Sequence, residues 1–309
     1  MSKICEICSS KNLINYSYNN HSNKLNIFFI LHIKTIIISI LSIFKKKYKN
    51  KNLFSAFSKI SVCEDCGFGI CLNKIDNNDL KNYYSSLFWD DTKFDFFYKE
   101  SVDQVNRAKG QYVAIKRYLP KKPIKILEIG AGSATLSKIL KKNIKILASD
   151  VVEPGDKWKE YYNSINLKKI SNFYPDKTIS KYDLIIASHW LEHVVNIKSI
   201  LSNLRNNLNN QGLVFIEVPN CNDEYWNFDI KDIPHIYFFT KISLKKLFSD
   251  NGFKVELIQN LGMTNKEFYF SNNFNDLNNE LIEEVNESIR NNTYRNKGNV
   301  IRMLASKIS

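Results

Sequence analysis

The sequence predicts an α/β domain built on a mostly parallel sheet with helices on both faces, preceded by a small cysteine-rich module. Three observations carry this reading. Short apolar runs alternate with amphipathic segments from Ile124 to about Phe270. The first of those runs ends in a glycine turn, Gly130-Ala131-Gly132. Four of the six cysteines stand as two C-x-x-C pairs, Cys5/Cys8 and Cys63/Cys66, near the start of the chain.

The strand signals come in order. Ile124 to Ile129 leads into the glycine turn, Ile144 to Ser149 is closed by Asp150, Leu184 to Ala187 follows, and Leu213 to Val218 ends at Pro219. Between them lie segments with helical periodicity: Thr135 to Leu140, Leu191 to Leu208 and Leu244 to Phe248. Strands that alternate with helices imply a parallel sheet covered on both sides, with ligands at the carboxyl ends of the strands. The chain divides into 1–81, a cysteine module holding an inserted apolar helix; 82–122, an aromatic and then helical lid and linker; 123–270, the α/β domain; and 271–309, a polar tail of helical pattern.

Composition narrows the partner classes. The 309 residues carry a formal net charge of +13. Asn, Lys and Ile are abundant in every zone, so part of that charge is a compositional bias. The remainder favours an anionic small molecule or a lipid surface, and nucleic acid is not the expected partner. No apolar signal segment opens the chain, and paired C-x-x-C without one reads as metal binding in a reducing, cytoplasmic compartment. Four thiolates suit a structural tetrahedral Zn2+. The apolar stretch from Leu25 to Phe44 is interrupted by His32 and Lys34 and is too short uninterrupted to span a bilayer. It either packs inside its own module or lies peripherally on the inner face of a membrane, where Lys45, Lys46, Lys47, Lys49 and Lys51 would meet anionic head groups.

The glycine turn is the first element that bears chemistry. Glycines let backbone approach a ligand, and the helix that follows offers free N–H groups. The spacing departs from a dinucleotide fingerprint, because a third glycine would fall at Thr135. Asp150, 22 residues beyond Glu128, stands where an acid accepts ribose hydroxyls, and Glu153 competes for that role. A further segment reads Ser188-His189-Trp190-Leu191-Glu192-His193.

Together these motifs resemble the class I S-adenosylmethionine-dependent methyltransferases, with their Rossmann-like sheet. The later segments Gly212 to Asn220 and His235 to Thr240 fit the same pattern, so the resemblance covers about half of the chain. One departure is Ala134, where the family has a third loop glycine. The resemblance implies that Glu128, Gly130, Ala131 and Gly132 border the methionine part of the cofactor. It gives Asp150 to the ribose, Asn172 to the adenine, and Ser188 and His189 to the floor near the sulfonium. His235 is the expected general base, oriented by Tyr237 or Asp232, with His189 as the other catalytic candidate. The cysteine module followed by Tyr83-Tyr84 is similar to the start of methyltransferases acting on nucleotide-linked sugars, which implies a sugar or nucleotide-sugar acceptor. The oligomeric state is not legible. An RNA-modifying enzyme and a non-catalytic scaffold of the same fold are the alternatives.

Overall fold

The computed structural model describes residues 4–17, 59–100, 102–223, 225–227, 234–261 and 297–308. The chain forms a seven-stranded and a four-stranded sheet. The large sheet takes β4 (Ile124–Ile129), β5 (Ile146–Val152), β6 (Lys168–Ser171), β7 (Tyr182–Ser188), β8 (Leu208–Pro219), β10 (Phe253–Leu261) and β11 (Val300–Lys307), in the order β10-β11-β8-β7-β4-β5-β6. From β8 to β6 all neighbours are parallel. β11 runs antiparallel to both β8 and β10.

Successive residues of the central strands feed opposite layers, as the two-residue strand period requires. Ile124 and Ile126 of β4 join Leu184, Ile186 and Phe215 under α3 (Val102–Ile115) and α4 (Thr135–Asn143). Leu127 and Ile129 join Ile185, Ala187 and Ile216 on the other face, with α6 (Ile197–Asn206) and α7 (Lys241–Asp250). Burial on both faces explains why β4 and β7 read as apolar runs without polar alternation. The strand order reverses between β4 and β7, and their carboxyl ends open the crevice that holds the candidate site.

The small sheet runs β1-β2-β3-β9, from β1 (Leu13–Ser17), β2 (Lys59–Cys63), β3 (Gly69–Cys71) and β9 (Tyr237–Phe238). Its last strand comes from the loop after β8, so the cysteine module shares a sheet with the α/β domain. The knuckle is fastened there again: Thr240, which caps α7, donates through Oγ1 to the Cys66 carbonyl at 2.5 Å. In the chain, α1 (Asn77–Ser86) and α2 (Asp91–Tyr98) follow β3, and Phe94 and Phe97 of α2 pack with Trp158 and with Tyr161 and Tyr162 of α5 (Lys159–Ser164).

Two expectations are corrected here. Residues 271–309 were expected to form a polar helical tail, but 300–307 is β11, inserted between β8 and β10 with Val300, Ile301, Met303, Leu304 and Ala305 buried. Its partners lie some eighty residues or forty residues away along the chain, so a local pattern interrupted by Arg302 could not show it. The segment from Leu191 to Leu208 is not one helix: a short turn over Leu191–His193 precedes α6. The apolar stretch 25–51 lies outside the described residues, and among those residues no helix is long and apolar enough to cross a membrane.

Arg302 resolves its own burial. It stands opposite Glu217 in the register, and its Nε donates to Glu217 Oε2 at 2.7 Å. Arg107 of α3 donates through Nε to Oε1 at 2.6 Å, and Gln111 adds a third donor at 2.9 Å. Burial would raise the Glu217 pKa, but Arg107 and Arg302, helped by His189, outweigh it and hold the carboxyl well below the usual range. A depressed carboxylate contributes stability that is full above its unfolded pKa and lost as pH falls through the folded value. Arg302→Ala leaves part of a buried charge uncompensated and should cost about 3–5 kcal/mol in denaturant unfolding at neutral pH. The difference from the wild type should shrink in acid; equal stability at pH 7 would remove this network from the account.

Candidate active site

A cavity of about 330 Å³ opens at the carboxyl ends of β4, β5 and β7. Gly130, Val152 and Glu153 form one wall, and Asn172, Phe173 and Tyr174 a second. His189, Trp190 and His193 form the floor, and Tyr84, Phe88 and Trp89 cover it with Lys81 at the rim.

The glycine loop is shaped by left-handed residues. Gly130 has φ +65°, and a Cβ there would lie 2.8 Å from Trp190 Cδ1, so only glycine fits both the conformation and the indole. Gly132 has φ +48° and lies under the Trp89 ring. The third position, Ala134, also sits at φ +48°, outside the negative range in which alanine is at ease. The loop therefore holds a left-handed alanine there at a cost of about 1–2 kcal/mol.

Two buried acids serve this loop in different ways. Glu128 turns beneath it and accepts from the Ser137 N–H (3.3 Å) and Oγ (2.5 Å) at the start of α4. Burial pushes its pKa up to about 7, against the Ser137 bonds. Glu153 lines the cavity, accepting from the Gly132 N–H at 2.9 Å and from Trp89 Nε1 at 2.7 Å. Burial raises it to about 7 as well, opposed by those two donors and by Lys169.

The expected ribose acid lies elsewhere. Asp150 pairs with Leu127, three positions short of the Gly130 turn, and its carboxylate accepts from the Tyr182 hydroxyl at 2.7 Å. It does not line the cavity; Glu153 does. The strand runs two residues past Asp150 before Glu153-Pro154-Gly155 ends it, so the acid nearest the strand's end is Glu153.

At the floor, His189 follows β7 with φ +51°, a conformation that non-glycine residues hold only when their surroundings over-determine it. Its amide donates to the Glu217 carbonyl at 2.7 Å. Its ring stands between two buried carboxylates, with Nδ1 3.4 Å from Glu192 Oε1 and Nε2 3.9 Å from Glu217 Oε1. Ser188 lies beside it and accepts from Gln111 at 3.2 Å, off the cavity wall.

His235 is not on that wall. Its ring packs edge-on against His193, with centroids 4.7 Å apart, behind the floor. Tyr237 is buried and donates to the Val195 carbonyl at 3.0 Å, so it does not orient His235. Asp232 lies outside the described residues. Of the expected cofactor and catalytic residues, then, the fold gathers Gly130, Asn172 and His189 on one cavity. Glu128, Ala131 and Gly132 support it from beneath, while Asp150, His235 and Tyr237 face other surroundings. Trp89 and Glu192 were not singled out as site residues, although Trp89 falls in the expected aromatic lid and Glu192 in the Ser188-to-His193 segment.

The four cysteines converge although their pairs stand 55 to 61 residues apart. Cys5 Sγ lies 3.6 Å from Cys66 Sγ, and Cys8 Sγ lies 3.5 Å from Cys63 Sγ. All four ligand atoms fall within 4.8 Å of one another. Sulfurs around a tetrahedral zinc stand about 3.8 Å apart, so the donor set and its spacing fit that ion.

Comparison with known proteins bears on the family and on the fold. Among solved structures, phosphoethanolamine N-methyltransferase 2 of Haemonchus contortus, in complex with S-adenosyl-L-methionine, aligns with a TM-score of 0.50 and 11% identity over 74% of this chain and 60% of that one. A possible histamine N-methyltransferase of Thermotoga maritima gives 0.49 and 13% over 74% and 100%. A putative sarcosine dimethylglycine methyltransferase of Galdieria sulphuraria gives 0.48 and 15% over 66% and 86%. At such identity the likeness is one of fold. No curated protein matches the sequence. Residues 99–258, just over half of the chain, match the family model described as a methyltransferase domain, and the chain belongs to that family, the S-adenosylmethionine-dependent class I methyltransferases.

Proposed function

We propose that the protein transfers a methyl group from S-adenosylmethionine to a small polar acceptor, with a sugar or nucleotide-linked sugar as the leading class. The observation that carries this is the convergence of Gly130, Glu153 and His189 on one cavity at the point where the strand order reverses. The residues present fit the cofactor: a glycine that admits close approach, a buried carboxylate at the end of the second strand, and an aromatic cover. When bound, S-adenosylmethionine supplies an activated methyl group. Glu153, in the position expected of Asp150, would accept the ribose hydroxyls, and Asn172 would face the adenine. Trp89 covers the loop and donates to Glu153, so the aromatic segment would have to rearrange to share that carboxylate with a ribose. At the acceptor end, Asn77, Lys81, Asn196 and Ser199 offer hydrogen bonds beside the rings of Tyr84 and Phe173. Polar groups next to ring faces favour a hydroxylated acceptor with a charged or polar extension.

His189 is the base in this scheme. Glu192 stands 3.4 Å from its Nδ1 and Glu217 3.9 Å from its Nε2, so carboxylates orient the ring on both sides and it would have to turn toward the cavity to take the acceptor's proton. His189→Ala should lower turnover by about 10²–10⁴ with cofactor affinity nearly unchanged. A fully active alanine variant would return the base to another group.

Cofactor binding tests Glu153. The ribose hydroxyls would donate to an ionised carboxylate beside a cationic ligand. Binding should therefore lower the Glu153 pKa from about 7 and expel a proton. Affinity should climb between about pH 6 and 8, and calorimetry in buffers of different ionisation heat should count the proton. Glu153→Gln should weaken binding by about 1–3 kcal/mol and abolish the pH dependence. If Asp150→Ala does this instead, the assignment of the ribose is wrong.

The cysteine cluster is proposed to hold structural zinc. Metal analysis of protein purified with its thiolates intact should find zinc bound, and Cys66→Ser should release it and lower the melting temperature. Because β3 pairs with β9, the loss should also disturb the loop that carries His235.

A further inference from the structure

We propose that Glu192, His193 and His235 form a second metal site, for a divalent ion that prefers imidazole and carboxylate ligands, in the floor of the cavity. One ligand atom from each of the three lies within 4.8 Å of the others. Ligands at about 2.1 Å from a shared ion stand about 3.0–3.4 Å apart, so small side-chain rotations close the set.

The strongest reason is Glu192. Its carboxylate is 1% exposed, and neither oxygen accepts a hydrogen bond of ordinary geometry. A carboxylate so placed requires positive charge beside it. Among the described residues no lysine or arginine pairs with it; what face it are His189 on one side and His193 and His235 on the other.

The second reason is the tautomer of His193. Its Nδ1 lies 2.8 Å from the Pro234 carbonyl, which can only accept, so Nδ1 carries the proton. The Tyr84 hydroxyl lies 2.9 Å from the same nitrogen. In the neutral ring Nε2 is then the lone-pair nitrogen, and it is the one directed at Glu192 Oε1, 3.9 Å away. That turns a lone-pair nitrogen and a carboxylate oxygen toward one another, as two ligands of one ion would be. A carbonyl holding the remote N–H is also how metal-bound histidines are commonly fixed.

The third reason is placement. The backbone draws the two halves of the cluster together, because the Ile236 N–H donates to the Glu192 carbonyl at 2.8 Å. His235 is in turn set by the cysteine module, since Cys71 N–H donates to the Ile236 carbonyl at 2.9 Å. Two imidazoles and one carboxylate leave an ion with open positions, and His193 lines the cavity. If the transferase reading holds, those positions would take two adjacent oxygens of the acceptor.

The ion class follows from the ligands. Thiolates suit zinc, whereas one carboxylate with two imidazoles also accepts Mn2+. Manganese is therefore a probe that leaves the cysteine cluster aside. The full chain, zinc-loaded and free of S-adenosylmethionine, would be titrated with Mn2+ while electron paramagnetic resonance reads the free ion. We expect a single bound Mn2+ per chain. Glu192→Gln and His235→Asn should each weaken it by at least about tenfold, since losing even a supporting partner costs that much. Each variant's melting curve shows whether it is folded, and His193→Gln serves where one is not. The chain used for the Mn2+ titration carries one zinc only; separate samples equilibrated with excess Zn2+ should read two ions per chain in the wild type and one in each variant. No Mn2+ binding with a single zinc in folded wild type would overturn the site, as would binding indifferent to all three substitutions. Calorimetry with S-adenosylmethionine on the same samples separates this outcome from a failure of the transferase reading.

Discussion

Glu217 ties together the elements on which the site stands. Its carboxylate is fully buried at the carboxyl end of β8, where it meets Arg302 of β11 and Arg107 and Gln111 of α3. Its backbone carbonyl holds the amide of His189. A carboxylate in such a position is unaffordable alone, and with three donors it becomes a fixed point. β11 is thereby locked next to β8 by charge as well as by the ladder, and the end of β7 is drawn onto β8. The strained His189 backbone persists because this network over-determines it.

The sheet was largely legible because its central strands are buried on both faces and read as bare apolar runs. β4, β7 and β8 and the helices α4, α6 and α7 all had such signals. β11 did not, since its sequence Val300-Ile301-Arg302-Met303-Leu304 follows a long polar stretch and its arginine makes sense only against Glu217. Of the site, the glycine loop was legible from spacing, whereas the expectation that His189 lies at the floor came from the family resemblance. Asp150 drew the ribose role because counting from the glycine turn cannot tell where a strand stops. The register can: Val152 accepts from the Gly130 N–H at 2.8 Å, and Glu153 is the next residue. Trp89 lies in the aromatic segment expected to form a lid, but which of its rings would meet the glycine loop was not legible, because that depends on how a segment from outside the α/β domain folds over it.

Ala134 shows how backbone and side chain divide the work in that loop. The family's third glycine is absent, yet the left-handed conformation it would permit is retained. The alanine methyl is completely buried in the cluster formed by Val151, Trp158 and Tyr162. Packing there offsets a strain of about the same size as burying a methyl group. Tyr162 adds a hydrogen bond to the Gly132 carbonyl at 2.7 Å. The loop's shape is thus imposed from the α5 side as much as by its glycines.

The cysteine module is joined to the far side of the same cavity. Its knuckle touches the cap of α7 through Thr240, its β3 completes a sheet with β9, and its Cys71 amide holds the turn that presents His235. Gly67 must remain glycine for this contact, since a Cβ there would stand 2.2 Å from Thr240 Cγ2 and its φ is +69°. Without the module, β9 would lose its only neighbour in the small sheet, and the imidazole of His235 would lose its backbone support. A cluster of cysteines distant from the cavity in sequence therefore supports the turn that sets His235 against His193. Through that turn, and through the Ile236 N–H that donates to the Glu192 carbonyl, the module buttresses the floor of the cavity from behind.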